Sequence, residues 1–194
     1  RYVWEMYDEY FGKDKAGFVT RTAMSIFAPQ LRIWDVRTSG RVHNYIANSH
    51  NVAGRIKQYY NRQADVIHPP VDTSLFQISE KNEDYFLIVS ALVPYKKVEI
   101  AVKAFNKIGR RLVIVGTGPE SDKLKLIAKD NIEFLGWRGD DELAKIYAGC
   151  RALIFPGVED FGIVPLEAMA SGKPVIAFGK GGALETVINQ GANS

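Results

Sequence analysis

Two carboxylates stand at i and i+8 in the run Glu159-Asp160-Phe161-Gly162-Ile163-Val164-Pro165-Leu166-Glu167. The apolar stretch ending at Phe155 reads as a strand, and Pro156-Gly157 opens a loop. A helix is expected from about Gly162, with Pro165 in its first turn, where a missing N–H costs nothing. Such a strand–loop–helix unit aims unpaired backbone N–H groups and a positive helix end at a crevice, a natural seat for phosphate. Gly162 lets a ligand approach the backbone closely. The carboxylates would repel a phosphate that they touched. They suit hydroxyl groups instead, one on a sugar and one on a ribose, while the N–H groups hold the phosphates. On spacing alone a second reading stands beside this one, with Glu159 a solvated loop residue and Glu167 a partner of the helix dipole.

Lys96 and Lys97 follow the apolar run 86–92 and precede a helical pattern. A cation between a strand end and a helix start can stabilise negative charge developing on a leaving group. Gly116-Thr117-Gly118-Pro119 also lies between a strand and a helix, but the third glycine of a dinucleotide fingerprint would fall on Ser121. It is read as a tight turn lining the crevice, with Gly118 near the phosphates. Arg138 could face a base or ribose, or simply the surface. His43, His50 and His68 have no metal-ligand spacing, and the relevant loop holds no Asp-x-Asp pair, so no metal and no cofactor are expected. Cys150 reads as a small core residue, and Trp4, Trp34, Tyr59 and Tyr60 as packing residues.

These groups need a scaffold. From about Phe86 onward, short apolar runs at 86–92, 112–116, 132–135, 152–155 and 174–178 read as strands covered on both faces. Between them, Val98, Ala101, Val102, Phe105 and Ile108 fall at helical spacing, as do Leu124, Ile127 and Ala128, then Leu143, Ile146 and Tyr147, then Leu166, Met169 and Ala170. The fold class expected is α/β, an open doubly wound parallel sheet of Rossmann type, with ligands outside the carboxyl ends of its strands. The earlier part is less regular: strands at 42–47 and 65–68 flank a helix at 52–60 that Asn48 or Ser49 can cap. The expected division is residues 1–72 as the end of one Rossmann-like domain, 73–84 as a polar linker, and 85–194 as a second, ligand-binding domain lacking its final helix or helices. The opening stretch 1–11 begins with Arg1 and is rich in Tyr2, Trp4, Tyr7 and Tyr10. It is expected to pack on a partner segment, the chain opening inside a longer protein.

Bulk properties narrow the function classes. A net charge of +3 fits a diphosphate site but is too small for a nucleic-acid face, so no nucleic-acid partner is expected. One cysteine excludes an intrachain disulfide and favours a reducing compartment, hence a cytoplasmic setting, with peripheral association at the cytoplasmic membrane face left open. No apolar run is long enough to span a bilayer.

The run from Glu159 to Ala177, including Glu-Ala-Met-Ala-Ser-Gly at 167–172, closely resembles the E-x7-E signature of glycosyltransferase family 4. Gly181-Gly182-Ala183-Leu184-Glu185-Thr186-Val187, Val115-Gly116-Thr117-Gly118-Pro119-Glu120, Phe134-Leu135-Gly136-Trp137 and Ser90-Ala91-Leu92-Val93-Pro94-Tyr95-Lys96-Lys97 fit the same family. Ile46-Ala47-Asn48-Ser49 and His68-Pro69-Pro70-Val71-Asp72 match more loosely. The resemblance implies a retaining GT-B enzyme with two facing Rossmann-like domains, acceptor on the first and nucleotide-sugar donor on the second. It assigns Glu159 to hydroxyls of the transferred sugar, Glu167 to the ribose, and the N–H groups of Phe161, Gly162 and Ile163 to sugar and phosphate. Lys96, assisted by Lys97, would neutralise the departing diphosphate, so Lys96 and Glu159 are the expected catalytic residues. Many members carry an arginine near Ala91, absent here, which either leaves the phosphate charge to the two lysines, the favoured reading, or weakens the pyrophosphate site. The family's histidine lies on the first domain, and none is assigned in this chain. The implied reaction is hexosyl transfer to a hydroxyl acceptor, such as a lipid-linked glycan, with mannose from GDP-mannose favoured by likeness to bacterial mannosyltransferases of polysaccharide and lipopolysaccharide assembly. A non-catalytic nucleotide-sugar-binding module, or another GT-B enzyme such as a nucleotide-sugar epimerase, is the alternative.

Overall fold

Alternating apolar runs and amphipathic segments should give strands sandwiched between helices, and the computed structural model of the chain has that arrangement. It describes residues 3–13 and 16–187; Arg1 and Tyr2 of the aromatic opening, and residues 188–194 of the second expected domain, lie outside the described residues. The chain divides into two compact units, Arg1–Ile67 and His68–Ser194.

The first unit contains helices α1 (Tyr7–Phe11) and α2 (Phe18–Ser39), strand β1 (Ile46–Ala47), helix α3 (His50–Tyr60) and strand β2 (Asp65–Val66). The two short strands pair in parallel around α3. Ser49 is the helix cap, its Oγ accepting from the Val52 N–H at 3.0 Å. The 22-residue α2 is a departure from the irregular region expected. Its sequence carries Pro29 in the interior, which removes a helical donor, and its large apolar residues are scattered around the axis, so no stripe announces it. Among the opening aromatics, Trp4 stacks on Tyr59 with ring centroids 4.5 Å apart, and its Nε1 donates to Asp35. Tyr60 donates to the same carboxylate oxygen, and burial with that bond pushes its phenol up to about 12. This part of the opening thus packs on its own unit, where a separate partner segment was expected. Trp34, also expected in packing, is exposed.

The second unit is the parallel sheet. Its elements are β3 (Phe86–Val89), a 3-10 turn (Pro94–Lys96), α4 (Val98–Ile108), β4 (Leu112–Val115), α5 (Ser121–Ile127), β5 (Ile132–Gly136), α6 (Asp140–Gly149), β6 (Ala152–Phe155), α7 (Ile163–Ala170), β7 (Val175–Ala177) and α8 (Ala183–Thr186). The strand order is β5-β4-β3-β6-β7, with every neighbouring pair parallel. The two-residue pleat sorts the strand residues by face. Ile88, Leu112 and Ile114 pack under Val98, Val102 and Phe105 of α4 and Leu124 of α5. Leu87, Val113, Val115, Leu153 and Phe155 pack under Tyr147 of α6 and Ala168 of α7. Helices therefore cover both faces, as the continuous apolar runs predict. Ile108, expected on the buried face, is the last residue of α4 and stays exposed.

Residues 73–84 form no helix or strand, yet Phe76 is buried in the second unit's core. Lys173, itself only 7% exposed, donates from Nζ to the carbonyls of Ser79 (2.9 Å) and Lys81 (2.6 Å). Among the described residues no helix is long and apolar enough to cross a membrane.

Candidate functional site

The strand order places a switch point at the carboxyl ends of β3 and β6. From β3 the chain builds outward through β4 and β5, then returns to β6 on the other side and continues to β7. The helices that follow β3 and β6 thus cover opposite faces of the sheet, the arrangement at which open α/β sheets bind ligands beyond their strand ends. Lys96 follows β3 and Glu159 follows β6, which brings together two residues far apart in sequence.

Beyond β3 the backbone remains laddered to the loop after β4: Ser90 N–H donates to Val115 at 3.0 Å and Leu92 N–H to Thr117 at 2.9 Å. The 3-10 turn follows, and Lys97 adopts a left-handed conformation (φ 56°) that starts α4. In this bend the Lys96 Nζ lies against Glu159 Oε1 as an ion pair, with the two side chains 19% and 17% exposed. Oε1 is shielded from solvent and receives no other hydrogen bond among the described residues, so Lys96 meets its charge. Lys96 Nζ also sits 5.3 Å from the centroid of the Tyr95 ring. Close approach explains two glycines here. A Cβ on Gly157 would fall 2.9 Å from the Lys96 carbonyl oxygen, and one on Gly118 would fall 2.4 Å from that of Leu92. Gly118 therefore lets the loop after β4 pack on the loop after β3, a structural reason for the glycine that the sequence reading did not contain.

The second half of the site is the connection from β6 into α7. The Gly182 N–H donates to the Glu159 carbonyl at 2.9 Å, and Glu159 bridges Gly181 in parallel, so the loop after β7 braces the Glu159 backbone. Phe161 buries its ring, which packs 5.2 Å from that of His68. Gly162 (φ 87°) is the N-cap of α7 and supplies no side-chain cap. Ile163 begins the helix and Pro165 stands at its third position, as expected. First-turn N–H groups have no carbonyl four residues back, so those of Ile163 and Val164 are available to an anion.

Glu167 lies one helical turn beyond Ile163, on the same face. Its Oε2 accepts the Tyr147 hydroxyl at 2.7 Å. Burial raises its pKa above the ordinary carboxylate value, the Tyr147 hydrogen bond opposes that shift, and the Asp140 carboxylate adds to it. The sequence reading assigned Tyr147 only to a helical apolar pattern and missed the pairing, because nothing in the spacing of residues 147 and 167 marks it. His68, for which the sequence favours a structural or surface role over ligation, has its Nε2 3.7 Å from Glu185 Oε2 beside Phe161. Arg138 donates to the carbonyl of its neighbour Trp137 at 2.9 Å, and no described contact joins it to the Lys96–Glu159 pair. Cys150 is buried in the core, and burial pushes its thiol up to about 11, the state of an unreactive packing residue.

Residues 72–193 match the model of the family described as "Glycosyl transferases group 1". The chain is 33% identical over 149 residues to an uncharacterized glycosyltransferase, MJ1178, of Methanocaldococcus jannaschii, covering 74% of this chain and 42% of that protein. It is 30% identical over 148 residues to the O-antigen chain mannosyltransferase RfbU of Salmonella typhimurium, covering 70% and 42%. Among solved structures it resembles Alr3699/HepE of Anabaena in complex with UDP-glucose, with a TM-score of 0.73 at 26% identity, covering 85% of this chain and 53% of that one. The chain spans less than half the length of these curated relatives. With a matching α/β fold, GT-B glycosyltransferases as structural neighbours and a family match over most of its length, the chain belongs to the group 1 glycosyl transferases.

Proposed function

We propose that this chain carries the donor-binding half of a retaining glycosyltransferase of family 4, which moves a hexosyl group from a nucleotide-diphosphate sugar to a hydroxyl acceptor. The observation that carries the reading is the meeting of Lys96 and Glu159 at the switch point of the sheet, beside the N-terminus of α7. In the transition state the bond from the anomeric carbon to the diphosphate oxygen breaks, its electron pair leaves with the diphosphate, and a bond to the acceptor oxygen forms. Lys96, Lys97 and the N–H groups from Phe161 to Ile163 stabilise the departing charge, while Glu159 holds sugar hydroxyls and fixes the pose. Retention puts the acceptor on the face from which the diphosphate departs, so a phosphate oxygen can take the acceptor proton. No metal is assigned to the leaving group, because this reading already gives it two lysines and a helix terminus.

For the sugar we favour mannose from GDP-mannose, since relatives include the Salmonella O-antigen mannosyltransferase and a Mycobacterium tuberculosis mannosyltransferase named as GDP-mannose-dependent and acting on a phosphatidylinositol monomannoside, 40% identical over 117 residues. The Anabaena structures with UDP and UDP-glucose make UDP-glucose the comparison donor. A lipid-linked glycan is the proposed acceptor class, which would draw the whole protein to a membrane surface. Calorimetric titration of the chain with GDP, UDP and ADP, then with their sugar conjugates, tests the reading. Binding of a nucleoside diphosphate is expected, weakened at least about tenfold by Lys96→Met. Absence of binding to all three would overturn the donor-site reading, and tighter binding of UDP-glucose than GDP-mannose would overturn the choice of sugar.

A further inference from the structure

Tyr147 has no exposed surface, and its ring packs edge-on to Phe76 at 5.5 Å within the core beneath β3, β4 and β6. Packing alone would be served by phenylalanine, which fills the same space with no polar atom to satisfy. The hydroxyl instead reaches the carboxylate of Glu167, a group whose ionised form burial already disfavours. The two oxygens of that carboxylate differ. Oε2 is held by Tyr147, whereas Oε1 receives no hydrogen bond among the described residues, and Glu167 is only partly buried. Side chains on a helix lean toward its N-terminus, so Glu167 leans back toward the first turn of α7, where the phosphate-binding N–H groups lie.

We infer that Tyr147 is a positioning residue for the donor nucleotide: it clamps Glu167 Oε2 and thereby turns Oε1 toward the ribose hydroxyls. The inference rests on the reading of Glu167 as the ribose ligand. A carboxylate anchored through one oxygen has lost side-chain rotation that it would otherwise lose on binding, so each bond to the diol is gained at lower entropic cost. The clamp also favours the charged, acceptor-only form that two hydroxyl donors need.

The test is a comparison of GDP and UDP with their 2′,3′-dideoxy counterparts, titrated into the wild-type chain, Tyr147→Phe, Glu167→Leu and the double variant, with circular dichroism to confirm folding. Wild type is expected to prefer the ribonucleotides. Tyr147→Phe should lower ribonucleotide affinity about tenfold and leave dideoxy affinity unchanged. Once Glu167 is replaced by Leu, Tyr147→Phe should change nothing further; the double variant leaves no orphaned polar partner, so this arm stands even if Tyr147→Phe does not fold. Wild type without ribose preference would overturn both the Glu167 reading and the clamp. Wild-type preference that survives Tyr147→Phe, an equal loss for both nucleotide types, or a further loss in the double variant would overturn the clamp alone.

Discussion

Lys96 and Glu159 neutralise each other in a largely desolvated contact, although one is assigned to a diphosphate and the other to a sugar. A bare nucleoside diphosphate approaching Lys96 meets the Glu159 charge as well. Glu159→Gln should therefore tighten binding of the bare diphosphate by roughly fivefold, about 1 kcal/mol, while weakening preference for the sugar conjugate. Paired titrations of nucleotide and nucleotide sugar would show opposite changes; parallel losses would mean that Glu159 touches the phosphate side. Glu167 gives a second prediction. Its folded-state pKa is raised above the unfolded value, chiefly by burial, with Tyr147 opposing and Asp140 adding. The folded state thus binds this proton more tightly than the unfolded chain does, so the contribution of Glu167 to stability is fully present below the unfolded pKa and is lost as pH rises through the folded pKa. Glu167→Gln, which can still accept from Tyr147, should raise the melting temperature at pH 7, with the gain shrinking toward pH 4. A thermal scan showing no gain at pH 7 would contradict the assigned shift.

At the scale of elements, the site is made of strand ends and the turns that leave them. Gly157 and Gly118 let three connections touch, and the Gly181–Gly182 loop braces the Glu159 backbone. The stretch 73–84 belongs to this construction, because Lys173, beside the start of β7, holds the Ser79 and Lys81 carbonyls and Phe76 backs Tyr147. Lys173→Met would leave both carbonyls without that donor and should cost about 1–3 kcal/mol of stability in a denaturant titration. Nucleotide affinity of the folded variant should not change, since Lys173 lies outside the assigned site; a fall would show that the 73–84 segment helps to shape it.

At the scale of the molecule, family membership and the parallel sheet agree, while the chain spans less than half of its curated relatives' length. The activity proposed therefore belongs to the whole protein, and the prediction at this scale is made for it. On the proposed assignment of the positive charge to Lys96, Lys97 and α7, transfer by the intact enzyme should persist in excess chelator. Loss of transfer on chelation, restored by a divalent cation, would show that a metal shares that task.

The sequence by itself determined the strands of the second unit, because an apolar run closed by glycine or proline has few ways to hide except between two helical layers. It also marked a helix start near Gly162, a cap at Asn48 or Ser49 and the candidate carboxylates, all of which depend on neighbours within a few residues. The long α2 was not legible, since Pro29 and scattered apolar residues erase the periodic signal. Tertiary structure alone decided the partnerships. Lys96 meets Glu159 because β6 returns to pair with β3, and Glu167 meets Tyr147 because α6 and α7 cover the same face of the sheet. Such contacts depend on strand order and helix side, properties of the folded sheet that no local stretch of residues encodes.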